Sequence, residues 1–196
     1  DQFESLNLIV NRIFPSAHLR GYNNTNFAGG NLLKAAFDQG IQIVNPYETF
    51  TYDQSKFVLW NFLKKDSFKI PELIYMTNNC KGIKIEEDLY PVILKPDQGG
   101  CSEGVHIVKN ADELANTIKL LSNVPYMVQE YIEPDKDYTI RVEVVNNEIM
   151  AVFKRSISSS GISSQYRGSI YEVYYNYPQI IETIALSICY LLNMGI

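Results

Sequence analysis

Histidine, cysteine and positive charge are all scarce in this chain. With only His18 and His106 among 196 residues, a metal centre built on several imidazoles is excluded, and a Ser-His-Asp arrangement has little to choose from. The three cysteines, Cys80, Cys101 and Cys189, are odd in number, far apart and without paired spacing. That speaks against a disulfide framework or a zinc cluster and fits a reducing cytoplasm. Lysine and arginine number 17 against 22 aspartates and glutamates, a formal net charge of -5. The basic face with which a protein grips nucleic acid is therefore missing, although a local basic cleft is still compatible with the composition. No apolar run reaches the roughly 20 residues that a membrane span requires, since residues 180–192 are broken by Glu182, Thr183 and Ser187. A secretory signal is not visible either. Because the first residue is Asp1, the natural start is expected upstream.

What is present is the composition of an ordinary globular domain, 46% hydrophobic and 20% charged, without a fixed-period repeat. Branched residues over 6–12 predict a strand, and the spacing over 31–39 predicts a helix stopped by Gly40. A strand over 41–45, a turn at Pro46 and a helix over about 52–65 follow. Further on come strands at 92–95 and 105–108 around a glycine-rich turn, a helix at 111–122 and a strand at 126–132. Then the pattern changes. Strands at 138–145 and 149–155 flank Asn146-Asn147, a hairpin signal without the usual glycine, and a serine-rich, flexible loop leads to a terminal helix at 178–194. This mixture predicts α+β subdomains packed around a cleft rather than one doubly wound sheet.

The strongest chemical signal is PVILKPDQGGCSEGVHIV, residues 91–108. Lys95 ends an apolar strand and is followed by an acidic residue and a loop holding Gly99, Gly100, Ser102 and Gly104. Glycines let peptide N–H groups turn toward an anion, and a lysine supplies a mobile point charge, so the segment reads as a phosphate cradle, with a plain hairpin loop as the ordinary alternative. A Walker loop places its lysine after the glycines and before a helix, whereas Lys95 precedes them and a strand follows. A protein kinase has its glycine loop before the strand lysine and carries HRD and DFG segments, none of which occurs here. The GxGxxG fingerprint is absent as well.

Other candidates surround this segment. In VQEYI, alternation puts Val128, Glu130 and Ile132 on one face and Gln129 and Tyr131 on the other, a strand edge able to offer backbone groups to an adenine. Arg141 and Arg155 lie on adjacent predicted strands, and Arg167 follows the serine-rich loop. A planar guanidinium suits a transferring phosphoryl group, although an exposed strand arginine is as readily just solvated. Lys154 points to the opposite face from Arg155 and is the weaker candidate. Tyr171, Tyr174, Tyr175 and Tyr177 read as core or edge packing, Asn23-Asn24-Thr25 as a turn, and Asn11-Arg12 as a position from which an acceptor substrate could be reached.

Four segments occur together in one order: GIQIVNPYETF with Lys56, VILKPDQGGCSEGV, VQEYIEPDKDYTIRV, and AVFKR followed by YRG. On these residues the chain, from Gly40 to Ile196, resembles the ATP-grasp ligases, in particular the RimK-like glutamate ligases. The resemblance implies an ATP-grasp fold in which two α+β subdomains, 48–131 and 132–196, clamp ATP behind the remnant of an N-terminal α/β domain, 1–47. It implies that Lys56 and Lys95 contact ATP, that Gly99, Gly100, Ser102 and Gly104 form a mobile lid, and that the 129–132 stretch, Gln129, Glu130, Tyr131 and Ile132, holds the adenine. Asp137 would bond the ribose hydroxyls, and Arg141, Arg155 and Arg167 would serve the reaction. Ser55 stands where the family usually has aspartate and Ser102 where glycine is frequent, so a stiffer lid is expected. Magnesium is implied too, with ligands expected beyond Ile196. The function so implied is an ATP-dependent carboxylate–amine ligase working through an acyl phosphate. Its substrates would be a carboxylate and an amine from an amino acid, a peptide or a protein tail, with no nucleic acid or membrane partner and a homo-oligomer compatible. The alternative is a catalytically silent nucleotide-binding module.

Overall fold

The computed structural model describes residues 5–22, 24–66, 68–78, 82–121 and 123–194. Two compact units are formed, Gln54–Asp135 and the combination of Asp1–Asp53 with Lys136–Ile196. The sequence suggested boundaries after 47 and 131; contacts draw them after 53 and 135.

The amino-terminal part is a β-α-β element. Strands β1 (Leu8–Val10) and β2 (Gln42–Val44) pair in parallel, with Ile9 opposite Ile43. Helix α1 (Thr25–Asp38) joins them and buries Leu33 and Ala36 against Ile43 and Phe50. It begins six residues before the expected start at 31, because Gly29-Gly30 is a poor helix former that the buried face overrides. Its end is the anticipated one. Gly40 adopts φ 74°, and the Gly40 and Ile41 N–H groups donate to the Phe37 and Ala36 carbonyls at 2.9 and 3.0 Å. That is the left-handed termination for which glycine is preferred.

The single helix anticipated over 52–65 is two, α2 (Tyr47–Gln54) and α3 (Lys56–Lys65). Ser55 between them is extended, and its hydroxyl accepts from the Val58 N–H at 3.1 Å, an N-cap that starts a new helix. Trp60 on α3 donates its indole N–H to the Pro71 carbonyl at 2.8 Å.

The unit Gln54–Asp135 is built on an antiparallel sheet of β3 (Leu73–Thr77), β4 (Val92–Pro96), β5 (His106–Val108) and β6 (Tyr126–Glu130), in the order β3-β6-β4-β5. Strand β3 is additional to the strands expected from the sequence, although its LIYMT is a branched and aromatic run. Alternation directs Val92, Leu94, Val108, Tyr126 and Val128 into a core closed by Ile83 and by Leu114 of α4 (Ala111–Ile118). The opposite face of β4 and β6 therefore carries Ile93, Lys95, Met127 and Gln129, paired as Ile93 with Gln129 and Lys95 with Met127. Helix α4 stops short of the expected 122, and β6 ends at Glu130 rather than 132.

In the other unit β7 (Tyr138–Val145), β8 (Glu148–Ser156) and the short β9 (Tyr171–Val173) form a second antiparallel sheet. Helix α5 (Gln179–Leu191) closes the chain, and Thr49 Oγ1 donates to the Leu192 carbonyl at 2.6 Å. The α+β class holds. Among the described residues no helix is long and apolar enough to cross a membrane.

Asn146 and Asn147, at the β7–β8 turn, have φ of 50° and 60°. Both are left-handed, as a two-residue turn of primed type requires and as asparagine tolerates. Replacing Asn147 with glycine is expected to raise stability by a few tenths to about 1 kcal/mol, and with valine to lower it by about 1 to 2 kcal/mol. Urea midpoints of the two variants provide the check.

Candidate functional site

The glycine-rich loop runs from β4 to β5 and is anchored at its root by α3. The Asp97 carboxylate accepts from the Ser55 hydroxyl at 2.9 and 3.0 Å and from the Phe57 N–H at 2.8 Å. It thus lies at the amino end of α3, where free N–H groups and the helix dipole favour an anion. Lys56 ties down the same stretch: its ammonium donates to the carbonyls of Pro96, Asp97 and Gly99 at 2.9, 3.1 and 3.1 Å. Its own N–H reaches the Asp97 carbonyl at 3.2 Å.

Beyond this root the backbone turns left-handed, with φ of 133° at Gly99, 60° at Cys101, 59° at Ser102 and 67° at Gly104. A Cβ at Gly104 would stand 2.8 Å from Pro96 Cγ and 3.1 Å from the Tyr126 hydroxyl, so no side chain fits there. Ser102 pays no such clash but holds a conformation that costs an L-residue about 1–2 kcal/mol. The peptide N–H groups of Gly99, Gly100, Cys101 and Gly104 have no hydrogen-bond partner among the described residues. This donor set is the chemistry an anion needs.

Lys95, at the end of β4, is the second lysine at the root of the glycine loop. Its ammonium donates to Gln129 Oε1 at 3.1 Å, and the Gln129 amide donates in turn to the Pro71 carbonyl at 3.2 Å. Burial, and secondly the nearby Lys56 charge, lower the Lys95 pKa below its ordinary 10.5. A lysine lowered on folding opposes folding while protonated, and this opposition is relieved as pH rises through the folded value toward 10.5. A bound anion would act in the same direction.

The 129–132 stretch departs from expectation. Gln129 is buried, and its side chain orients Lys95 rather than standing at an open edge. The Glu130 and Tyr131 N–H groups are already engaged, with the carbonyls of Glu72 at 3.0 Å and Pro91 at 3.2 Å. The Glu130 carboxylate accepts from the Glu72 N–H at 2.8 Å. The backbone of Ile132, past the strand end, has no partner among the described residues.

The remaining candidates belong to the other unit. Asp137 is exposed, and its carbonyl accepts from the Ile157 N–H at 3.0 Å. The register sets Arg155 opposite Thr139 and Arg141 opposite Phe153, so both arginines share one sheet face. Lys154 is on the other, over the rings of Tyr138 and Tyr174 at 5.1 and 4.6 Å. Arg155 Nε donates to Ser163 Oγ at 2.8 Å, and Arg141 Nε to Glu143 Oε1 at 3.2 Å. Arg167 is exposed on a short 3-10 turn, Gln165–Arg167.

The serine-rich loop is not the slack segment that its composition suggests. Ser164 and Ser169 are buried and exchange two bonds, Ser164 N–H to Ser169 Oγ at 2.8 Å and Ser169 N–H to the Ser164 carbonyl at 3.0 Å. Of the four tyrosines, Tyr171 packs on Phe153 and Tyr174 on Tyr138 and Tyr177, but Tyr175 is 82% exposed. Asn11 is occupied locally, its side chain accepting from the Ile13 N–H at 3.0 Å. Cys101 and Cys189 are free thiols, while Cys80 lies outside the described residues. Among the described residues no group of three or more His, Cys, Asp or Glu side chains could hold a metal ion.

Solved structures with a similar fold include ATP-grasp proteins. An ATP-grasp RimK domain protein from Sphaerobacter thermophilus matches with TM-score 0.70 and 19% identity over 96% of this chain and 65% of its own. The D-alanine–D-alanine ligase of Bacillus anthracis, also solved with ATP, gives TM-score 0.67 and 14% identity over 97% of this chain and 62% of its own. The RimK-like ATP-grasp domain model matches residues 54–196, and the chain belongs to that family. A curated relative, the coenzyme gamma-F420-2:alpha-L-glutamate ligase of Methanococcus maripaludis, is 29% identical over 174 residues, 84% of this chain. The chain spans 60% of that relative's length.

Removing the Lys56 ammonium should loosen the loop without unfolding the sheet. In Lys56→Met, amide exchange at Asp97, Glu103 and Val105 is expected to accelerate roughly tenfold or more, the effect of losing charge-assisted bonds of about 1.5–3 kcal/mol, while Leu94 is unchanged. Equal exchange in variant and parent would remove Lys56 as the anchor.

Proposed function

We propose that the chain carries the nucleotide-binding part of an ATP-dependent ligase that joins a carboxylate to an amine. The observation that carries this reading is the half-buried Lys95, oriented by Gln129 beside a glycine loop rich in unengaged N–H donors. Membership of the RimK-like ATP-grasp family supports it, as does likeness to a glutamate ligase.

In this reading Lys95, the N–H groups of Gly99, Gly100 and Gly104, and Ser102 hold the ATP phosphates, and Lys56 governs where the loop stands. The backbone at Ile132 and the neighbouring carbonyls receive the adenine, and Asp137 the ribose hydroxyls. A substrate carboxylate oxygen attacks the γ-phosphorus as ADP leaves. The amine nitrogen then attacks the acyl carbon, phosphate departs, a proton is lost and an amide remains. Arg155 and Arg167, with Arg141, offset charge on the transferring group. Magnesium would neutralise phosphate charge, and its ligands are expected beyond Ile196. The carboxylate and the amine come from an amino acid, a peptide or a protein tail, and the working compartment is the cytoplasm.

Calorimetry with ADP tests the binding step. Lys95→Ala should weaken binding by about 1.5–3 kcal/mol, the range for a lost charge-assisted hydrogen bond, and Lys154→Ala should leave it nearly unchanged. Equal losses would refute the assignment of the two faces.

The chemical step is tested by ADP release with ATP, magnesium, candidate carboxylates and hydroxylamine. A protein extending beyond Ile196 should form hydroxamate, and the 196-residue chain should bind ATP without turnover. Comparable turnover by both would show that the metal site has been misplaced.

A further inference from the structure

Helix α3 serves two places with one face. Lys56, Trp60 and Lys64 stand four residues apart along it, a spacing that aligns their side chains on one stripe. Lys56 holds the root of the glycine loop, Trp60 donates its indole N–H to the Pro71 carbonyl at 2.8 Å, and Lys64 pairs with the Glu72 carboxylate. The segment leading into β3 is thereby docked on α3 at two consecutive residues. The Pro71 carbonyl takes a second donor, the Gln129 amide nitrogen at 3.2 Å, and the oxygen of that amide accepts from the Lys95 ammonium at 3.1 Å. We propose that Trp60 is a positioning residue for Lys95, acting through Pro71 and Gln129 to hold an acceptor against the ammonium.

The polarity of these bonds carries the inference. A carbonyl oxygen only accepts and an ammonium only donates, so a single orientation of the Gln129 amide satisfies both, nitrogen toward Pro71 and oxygen toward Lys95. Turned over, it would set amide hydrogens against the ammonium and oxygen against the carbonyl. Gln129 is 5% exposed, which leaves little water to compensate. The orientation therefore depends on where the Pro71 carbonyl stands. Among the described residues that carbonyl is bonded by the two side chains and by no backbone N–H, and the indole bond is the shorter of the two.

The acceptor matters because Lys95 has no other. Among the described residues its ammonium bonds to Gln129 Oε1 alone. Burial and the Lys56 charge on α3 favour loss of the Lys95 proton, and an oxygen aimed at the ammonium opposes them. The remaining neighbours do not help: Asp97, two residues on, commits its carboxylate to Ser55 and Phe57, and Met127, opposite Lys95 in the register, is apolar. A neutral acceptor also leaves the lysine its full charge for an anion. That this anion is an ATP phosphate rests on the ligase reading; that Trp60 sets the lysine does not.

The experiment follows the Lys95 Cε methylene by NMR as pH is raised, and ADP affinity by calorimetry over the same range. Because the chain has one tryptophan, Trp60 can also be replaced during biosynthesis by benzothienylalanine, which keeps the ring shape and puts sulfur where the N–H was. In Trp60→Phe and in the benzothienyl protein, Lys95 is expected to lose its proton at lower pH than in the parent. ADP binding near neutral pH should weaken roughly threefold to tenfold, the effect of one neutral hydrogen bond. Gln129→Glu should move the titration to higher pH, because a carboxylate favours the ammonium, and should still weaken ADP, because the lysine charge is then neutralised. Leu114→Val, which trims the core of the same unit away from these bonds, should lower the urea midpoint and leave the titration in place. An unchanged Lys95 titration in the benzothienyl protein, or shifts of the same sign in Trp60→Phe and Gln129→Glu, would overturn the proposal. A titration that moves as stated in a protein that binds no ADP would uphold it and count against the ligase reading alone.

Discussion

Four residues of backbone, Pro96 to Gly99, are gripped from two sides by the start of one helix, and the loop that follows depends on that grip. On one side the Asp97 carboxylate sits on the Ser55 hydroxyl and the Phe57 N–H. On the other the Lys56 ammonium rests on carbonyl oxygens. Carbonyl dipoles hold a cation without cancelling its charge, and that charge adds to burial, the larger cause, in lowering the Lys95 pKa. Two lysines near one glycine loop, with the nearest carboxylate committed to a helix end, leave positive potential that an anion would satisfy.

Much of this was legible in the residues themselves. The order strand, lysine, glycines, strand in 91–108 located the loop, and Gly40 and Asn146-Asn147 marked a helix end and a hairpin, because left-handed backbone leaves a compositional trace. What failed to show was tertiary. Ser55 reads as an interruption of a helix until its hydroxyl is seen to cap the next one. Asp97 passes for a turn residue, since its partners lie some forty positions earlier. Engaged N–H groups at Glu130 and Tyr131 cannot be told from free ones by period alone, and the serines of 156–169 look slack because their bonds run to one another and to β7 and β8. By alternation and register Glu143 and Tyr171 share a strand face with Arg141 and Arg155.

The second sheet shows how a period of two separates roles between neighbours. Arg155 turns toward the serine loop, while Lys154, one residue earlier, lies against Tyr138 and Tyr174. The two rings, packed edge-on with centroids 6.5 Å apart, both approach that ammonium and give it packing partners. Adjacent cations of equal formal charge are thus unequal in availability, a distinction that composition cannot express.

The lone tryptophan has a consequence of its own. Trp60 is on α3, the helix that anchors the loop, and its indole is tethered to Pro71 within the unit Gln54–Asp135. Excited at wavelengths that tyrosine does not absorb, this protein emits from that unit alone. Indole emission therefore follows the unit that carries the glycine loop without a contribution from the tyrosine-rich sheet of the other.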